Sequence, residues 1–160
     1  MKLKVYNKNQ NAPKPNQPLL PGACAVVVNQ KGHVFMHKRN DNNFWAIPGG
    51  KMEIGESISQ CCIREIKEEA GIDVTIKKLI GIYTSPKCVF AWKDGKNNKK
   101  VCQSFVVAFL CRAKQAQVSL NNESVAFKWF SPDAINRLKT LPFVKEIIRD
   151  ALRNKSAYFD

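Results

Sequence analysis

The stretch Gly50–Ile72, GKMEIGESISQCCIREIKEEAGI, constrains this chain more than any other. It gathers the carboxylates of Glu53, Glu56, Glu65, Glu68 and Glu69 in a protein whose formal net charge is +13. Like charges this close repel one another unless a cation compensates them. Ser57 followed by Gln60 is a capping-box signature, so a helix starts there, and Gly71 suits the left-handed position that ends it after Ala70. At roughly 100° per residue, Glu65, Glu68 and Glu69 fall within one arc, with Cys62, Ile63, Ile66 and Ala70 on its neighbour. The helix is expected to bury the apolar stripe and present the carboxylates beside it. Clustered hard oxygens suit Mg2+, which keeps waters and substrate phosphates among its ligands. The bland alternative is a solvated acidic helix with intrahelical pairs such as Arg64–Glu68.

Gly50, five residues, Glu56, seven residues, Arg64-Glu65-Ile66, one residue, Glu68-Glu69, one residue, Gly71-Ile72: this order resembles the signature of the Nudix hydrolases at every position. The resemblance covers roughly Gly22–Leu138 and is sharpest in the box. It implies an α+β fold, a Nudix-type mixed β-sheet sandwiched between α-helices. It also implies hydrolysis of a nucleoside diphosphate linked to another group, such as ADP-ribose. Nucleoside triphosphates, oxidised ones included, are the competing substrates, and the basic charge keeps 5'-triphosphorylated RNA in view. A Nudix-fold module that binds nucleotide or RNA without catalysis is a different class of reading. Degenerate boxes mark such members, whereas this box is intact.

The resemblance implies Mg2+, with Mn2+ as the alternative, held by Glu65, Glu68 and Glu69 together with Glu56 and the carbonyl of Gly49. A bound cation neutralises phosphate oxygens and lowers the pKa of water, otherwise a poor nucleophile toward a phosphoanhydride. One of the helix glutamates or a loop acid serves as base in such enzymes, and spacing does not choose among them. Arg64 is expected to pair with a box carboxylate and orient it. Glu123 stands where many members carry an additional loop acid; a solvated loop glutamate is its alternative. Phe44, Trp45 and Tyr83 either stack on a nucleobase or belong to the core. Arg39 joins Phe44, Trp45 and Glu123 in the expected substrate-binding set. His33 and His37, on the first hairpin, read as surface residues away from the box. Pro86 resembles the downstream proline of ADP-ribose-cleaving members, and nothing matches the SQPWPFPxS segment of NADH-cleaving ones.

The 160 residues, 44% hydrophobic and 24% charged, suffice for one domain with a sizeable core. Residues 1–21, with four lysines and four prolines, read as an extended arm carrying a short strand near Leu3–Tyr6, and residues 22–160 as the domain. The arm either covers the core or pairs with a second subunit, so a homodimer is a possible partner state. No apolar start resembles a signal peptide and no run reaches the length of a membrane span, which points to a cytoplasmic protein without a membrane partner. Six cysteines without a CxxC pair read as buried reduced thiols. The lysines of 93–100 either keep the surface solvated or draw polyphosphates toward the acidic helix. No nucleic-acid recognition motif accompanies them.

Alternation and turn residues predict strands at Ala23–Val28, Val34–Arg39, Phe44–Ile47, Val74–Tyr83, Cys88–Trp92, Val101–Arg112 and Val125–Phe130. Ser131-Pro132 has the chemistry of a helix start, with the helix running to Leu138, and Pro142 opens a last helix through Asn154.

Overall fold

A strand as apolar as AlaCysAlaValValVal has no face to give to water, so both of its sides must be covered. In the structure, a computed structural model that describes residues 4–7, 10–115, 117–119, 121–153 and 156–159, that strand is β2 (Leu20–Val28). It lies at the centre, parallel to the long β8 (Lys99–Ala113) from Leu20↔Ser104 to Val28↔Arg112. Alternation along β2 divides the interior: Cys24 and Val26 enter one core, Ala23, Ala25 and Val27 the other. The first core is closed by α3 (Val144–Leu152) through Val144, Ile147, Ile148 and Ala151. The second is closed by α1 (Ile58–Ala70) through Cys61, Cys62, Ile66 and Ala70. A mixed sheet thus sits between helices, as the α+β reading requires.

The remaining strands widen this centre. β3 (Val34–Arg39) follows β2 through a turn and pairs antiparallel with β9 (Ser124–Phe130). β4 (Trp45–Ala46) adds to β3, and β5 (Gly49–Lys51) runs antiparallel to the start of β2 with Cys24 opposite Gly49. On the other side of β8 lie β6 (Val74–Tyr83) and, parallel to it, β10 (Tyr158–Phe159). The first residues of β8 leave this sheet: Lys99–Gln103 pair with β7 (Val89–Lys93), and β7 pairs with β1 (Lys4–Tyr6). Ser104 stands at the change of partner, its buried hydroxyl donating to the Cys88 carbonyl at 3.0 Å. Val89, Ala91 and Val101 form a small core of this extension with Tyr6 and Ala12.

Several elements differ from expectation. β2 begins at Leu20, so Leu20 and Pro21 belong to the sheet rather than to a free arm. The arm runs along β8, where the backbone N–H groups of Asn16 and Gln17 donate to the Val101 carbonyl at 2.9 and 3.1 Å. The helix expected from Ser131 is a single turn, α2 (Pro132–Ile135), and Ser131 makes no side-chain capping bond. The last helix starts at Val144, inside the apolar periodicity rather than at Pro142. Leu3 and Asn154, the expected ends of the first strand and last helix, lie outside the described residues. All six cysteines are buried free thiols. No helix among the described residues is long and apolar enough to cross a membrane.

Candidate active site

Local hydrogen-bond chemistry sets the helix that carries the acids. The Ser57 hydroxyl accepts from Gln60 N–H at 3.3 Å, and the Gln60 side-chain oxygen accepts from Ser57 N–H at 2.7 Å. Gly71 closes the other end at φ 67°, its N–H donating to the Lys67 carbonyl at 2.9 Å. β5 runs between β2 and the helix with no room for a side chain at either of its glycines. A Cβ on Gly49 would lie 2.5 Å from the Ala23 carbonyl oxygen, and one on Gly50 would collide with the Glu65 carboxylate.

Arg64 binds the cluster together. Its Nε and Nη2 grip Glu56 at 3.0 and 2.8 Å, its Nη1 reaches Glu65 at 3.0 Å and Glu68 at 3.1 Å, and Nη2 also meets the Lys51 carbonyl at 3.0 Å. These contacts occupy every N–H of the guanidinium fork. The expected pairing of Arg64 with a box carboxylate is therefore present three times over. Arg64 and the Glu53 N–H hold the Glu56 carboxyl down at about 2. Glu65 moves the other way, its pKa raised because burial outweighs Arg64. Glu68 is more than half exposed, with a side chain 57% accessible.

Glu69 departs from the expected carboxylate face. It is 5% exposed, and Gly49 N–H donates to its Oε2 at 2.9 Å. Burial pushes its pKa up to about 8, against the Gly49 hydrogen bond and with help from Glu65 and Glu123. Beside it stands His37, which was expected at the surface away from the box. That expectation fails: His37 is 2% exposed, with Nε2 3.8 Å from Glu69 Oε2. Its Nδ1 lies 2.6 Å from Ser124 Oγ. Burial lowers the imidazole pKa to about 4, in spite of a backbone hydrogen bond to Ile47. At neutral pH this is a contact between two largely neutral groups rather than an ion pair. Of the apolar stripe, Cys62, Ile66 and Ala70 are buried, while Ile63 is 43% exposed.

These acids open onto a cleft of about 550 Å3, to which Glu65, Glu69, His37, Arg39 and Glu123 all contribute. Arg39 is held by a two-point grip on Asp41 at 3.0 and 3.1 Å. The expected aromatic partners are elsewhere. Trp45 packs edge-on against Phe130 at 4.8 Å in the core, and Phe44 lies under the Lys139 ammonium at 4.7 Å. Tyr83 is buried, donating from its hydroxyl to Asp150 at 3.0 Å. The aromatic side chains lining the cleft are Phe90, Trp92 and Phe143. Alternation in VFAWK, which puts Phe90 and Trp92 on one face and Val89 and Ala91 on the other, is the signal that marks them. Pro86 lies in the turn between β6 and β7, outside the cleft lining.

The chemistry of this donor set fits a hard divalent cation, since Glu56, Glu65, Glu68 and Glu69 offer only carboxylate oxygens. Among the described residues, no group of three Asp, Glu, His or Cys side chains is drawn together at metal-binding spacing. Arg64 supplies the positive charge at the cluster's centre instead.

A family model of the NUDIX domain matches residues 18–151. The chain belongs to the Nudix family. An RNA pyrophosphohydrolase of Pelagibacter ubique is 31% identical over 154 residues, covering 87% of this chain and 97% of that protein. An ADP-ribose pyrophosphatase of Methanocaldococcus jannaschii is 28% identical, with 81% and 72% covered. Among solved structures, an ADP-ribose pyrophosphatase of Streptococcus suis superposes with a TM-score of 0.63 at 23% identity, covering 88% of this chain and 98% of that one, a likeness of fold. The chain spans only 44% and 64% of the length of two other curated relatives, from Bacillus subtilis and Streptomyces ambofaciens. Family members in general use a divalent metal ion, and the box that serves it is intact here from Gly50 to Ile72.

Proposed function

We propose that the protein is a hydrolase that cleaves the phosphoanhydride of a nucleoside diphosphate joined to a second group, ADP-ribose being the representative substrate. The observation that carries this reading is the opening of Glu65 and Glu69 into the same cleft as Arg39 and Glu123. Glu56, Glu65, Glu68 and Glu69, with the Gly49 carbonyl, would hold Mg2+ or Mn2+, which neutralises phosphate oxygens and activates water when bound. Arg64 holds three of these carboxylates in place by hydrogen bonds while the cation is absent. Glu65, Glu69 and Glu123 face the cleft and are the acids placed to accept the proton that attacking water must lose. Arg39 offers a guanidinium to the anionic substrate. Release of nucleoside monophosphate from ADP-ribose, other nucleoside diphosphate derivatives and nucleoside triphosphates, with Mg2+ and with chelator, tests the reading. Turnover of none of them would end it.

A second reading is removal of pyrophosphate from 5'-triphosphorylated RNA. It is favoured by the near-complete overlap with the Pelagibacter protein and by the net charge of +13. This reading expects binding that weakens steeply with salt, because lysines that neutralise phosphates release the cations condensed on the RNA, and added salt opposes that release. Salt-insensitive binding would leave the small-nucleotide reading alone.

A further inference from the structure

The extension formed by β1, β7 and the first residues of β8 has a face that packing alone does not account for. In an antiparallel ladder, opposed residues share a face and successive residues alternate between faces. One face carries Val89, Ala91 and Val101 into their own small core, with Tyr6 and Ala12 of the arm. The other carries Phe90 and Trp92, with Val5 opposite Phe90, and all three line the cleft. Both aromatic side chains remain part-exposed there. Phe90 is braced edge-on by Phe143, ring centroids 6.4 Å apart and planes at 79°, an arrangement that holds a ring in place without covering its face. The aromatic lining comes from this extension and the approach to α3, β2 adds Leu20, Pro21, Ala23 and Cys24, and the acids come from α1 and the loop before β9. Acids and aromatics thus reach one cleft from different elements, and its volume of about 550 Å3 is in the range that accommodates a nucleotide.

We infer that Phe90 and Trp92 form the subsite for the nucleobase, gripping it by its π-face, and that the N-terminal arm, through Val5 on β1, completes that wall. This rests on the reading of the glutamates as the place of phosphoanhydride hydrolysis, and it names what holds the rest of the substrate. It also fixes a specificity. A site that hydrogen-bonds the edge of a group rejects the wrong one by roughly 10^4-fold or more, whereas an apolar contact discriminates only about 10- to 200-fold. Stacking is tolerant because every base has a π-face. The enzyme therefore selects for the presence of a base and only weakly for its identity.

Binding of nucleoside monophosphates without metal tests this apart from turnover. AMP and UMP are titrated while tryptophan fluorescence is followed. Both are expected to quench it, with dissociation constants within about a hundredfold of each other, and ribose 5-phosphate is expected not to. Trp92→Phe should remove most of the quench, since Trp45 and Trp129 pack against Phe130 and Phe35. Phe90→Ala should weaken AMP binding on the order of tenfold. Phe90→Leu, which keeps apolar bulk but loses the flat face, should fall between it and the wild type, so the inference stays testable if the alanine variant does not fold. With ADP-ribose and Mg2+, the loss should appear in KM rather than kcat. The inference is overturned if Trp92→Phe is quenched like the wild type, if the Phe90 variants bind AMP unchanged, or if AMP and UMP differ by more than about a hundredfold. Absence of hydrolysis together with the expected quenching pattern would sink the proposed reaction and leave the aromatic wall standing. Hydrolysis with an unchanged KM in the Phe90 variants would do the reverse.

Discussion

Along one helix and the turn that leads into it, glutamates are held in two opposite ways. Around Arg64, the carboxylates of Glu56, Glu65 and Glu68 meet a guanidinium with every N–H engaged, and Glu56 is driven to about 2. One turn beyond Glu65, Glu69 accepts from the Gly49 N–H beside a neutral His37, and burial lifts it to about 8. Compensation keeps Glu56 ionised; removal from water without a paired cation keeps Glu69 protonated near neutrality. Repulsion among clustered acids is thus relieved twice over, once by a counter-charge and once by giving up a charge. A divalent ion arriving at the helix has to replace Arg64 on one side and displace a proton on the other, which ties its affinity to pH.

The most severe break in this contrast removes the acid that is free to change its charge. Glu69→Gln keeps an oxygen for the Gly49 N–H but cannot ionise, and turnover should fall by roughly a hundredfold or more with the circular dichroism spectrum preserved. Glu65→Gln should act comparably. Glu68→Gln removes a ligand that stands largely in solvent, and its loss should be recovered in part by raising Mg2+. Near-wild-type kcat in all three would show that the helix acids do not do the chemistry.

Breaking the compensated side acts first on stability. Arg64→Ala leaves Glu56, Glu65 and Glu68 facing one another, and the lost charge-assisted hydrogen bonds should cost roughly 1–3 kcal/mol in urea unfolding, an amount solvent moderates at this partly exposed site. Arg64→Lys restores charge without the planar fork and should recover only part. Mg2+ should rescue the alanine variant more than the wild type, because the ion can take over the role of the guanidinium.

The uncompensated side is sharpened by pH. Between the ordinary carboxylate range near 4.5 and about 8, folded Glu69 keeps a proton that the unfolded chain has released, so stability falls as pH rises through that window. His37 works in the opposite sense: between about 4 and 6.5 the unfolded chain takes up a proton that folded His37 refuses, so stability falls as pH drops. The two oppose each other up to 6.5, and above it Glu69 acts alone. From pH 6.5 to 8 the metal-free protein should lose about 2 kcal/mol, at about 1.4 kcal/mol per unit. Glu69→Gln should flatten that slope, and Mg2+ should raise the melting temperature more at the alkaline end. An equal slope in the variant would place the titrating group elsewhere.

How far these two environments were legible in the chain depends on the range of the forces involved. Helix α1 could be bounded to the residue because Ser57, Gln60 and Gly71 act through hydrogen bonds to their own neighbourhood. The burial of Glu69 was written in the period as well: it lies seven residues after Cys62 and three after Ile66, beneath the buried stripe, yet a glutamate is by default assigned to water. His37 follows the same logic at period two. Phe35 enters the core under α1, so His37 must face that helix as well, and the two rings stack 6.5 Å apart. The aromatic wall of the cleft was only half legible. Strand alternation pairs Phe90 with Trp92, but their face becomes a cleft wall only because β8 changes partners at Ser104, an event between segments distant in sequence. Trp45 and Tyr83 carry no local mark that separates core aromatics from exposed ones.

The smallest break separates burial from hydrogen bonding as the cause of the neutral pair. Ser124 Oγ sits 2.6 Å from His37 Nδ1 and fixes the ring whose other nitrogen approaches Glu69. Ser124→Ala removes that bond inside the protein and should cost about 1 kcal/mol. If burial sets the protonation of Glu69, the loss should be uniform and the slope above pH 6.5 unchanged. If the fixed orientation of His37 holds the proton on Glu69, the slope should shrink along with the stability. Urea titrations of Ser124→Ala at two pH values above that point tell these apart, and an altered slope would make Ser124 and His37 positioning residues for Glu69 rather than its packing.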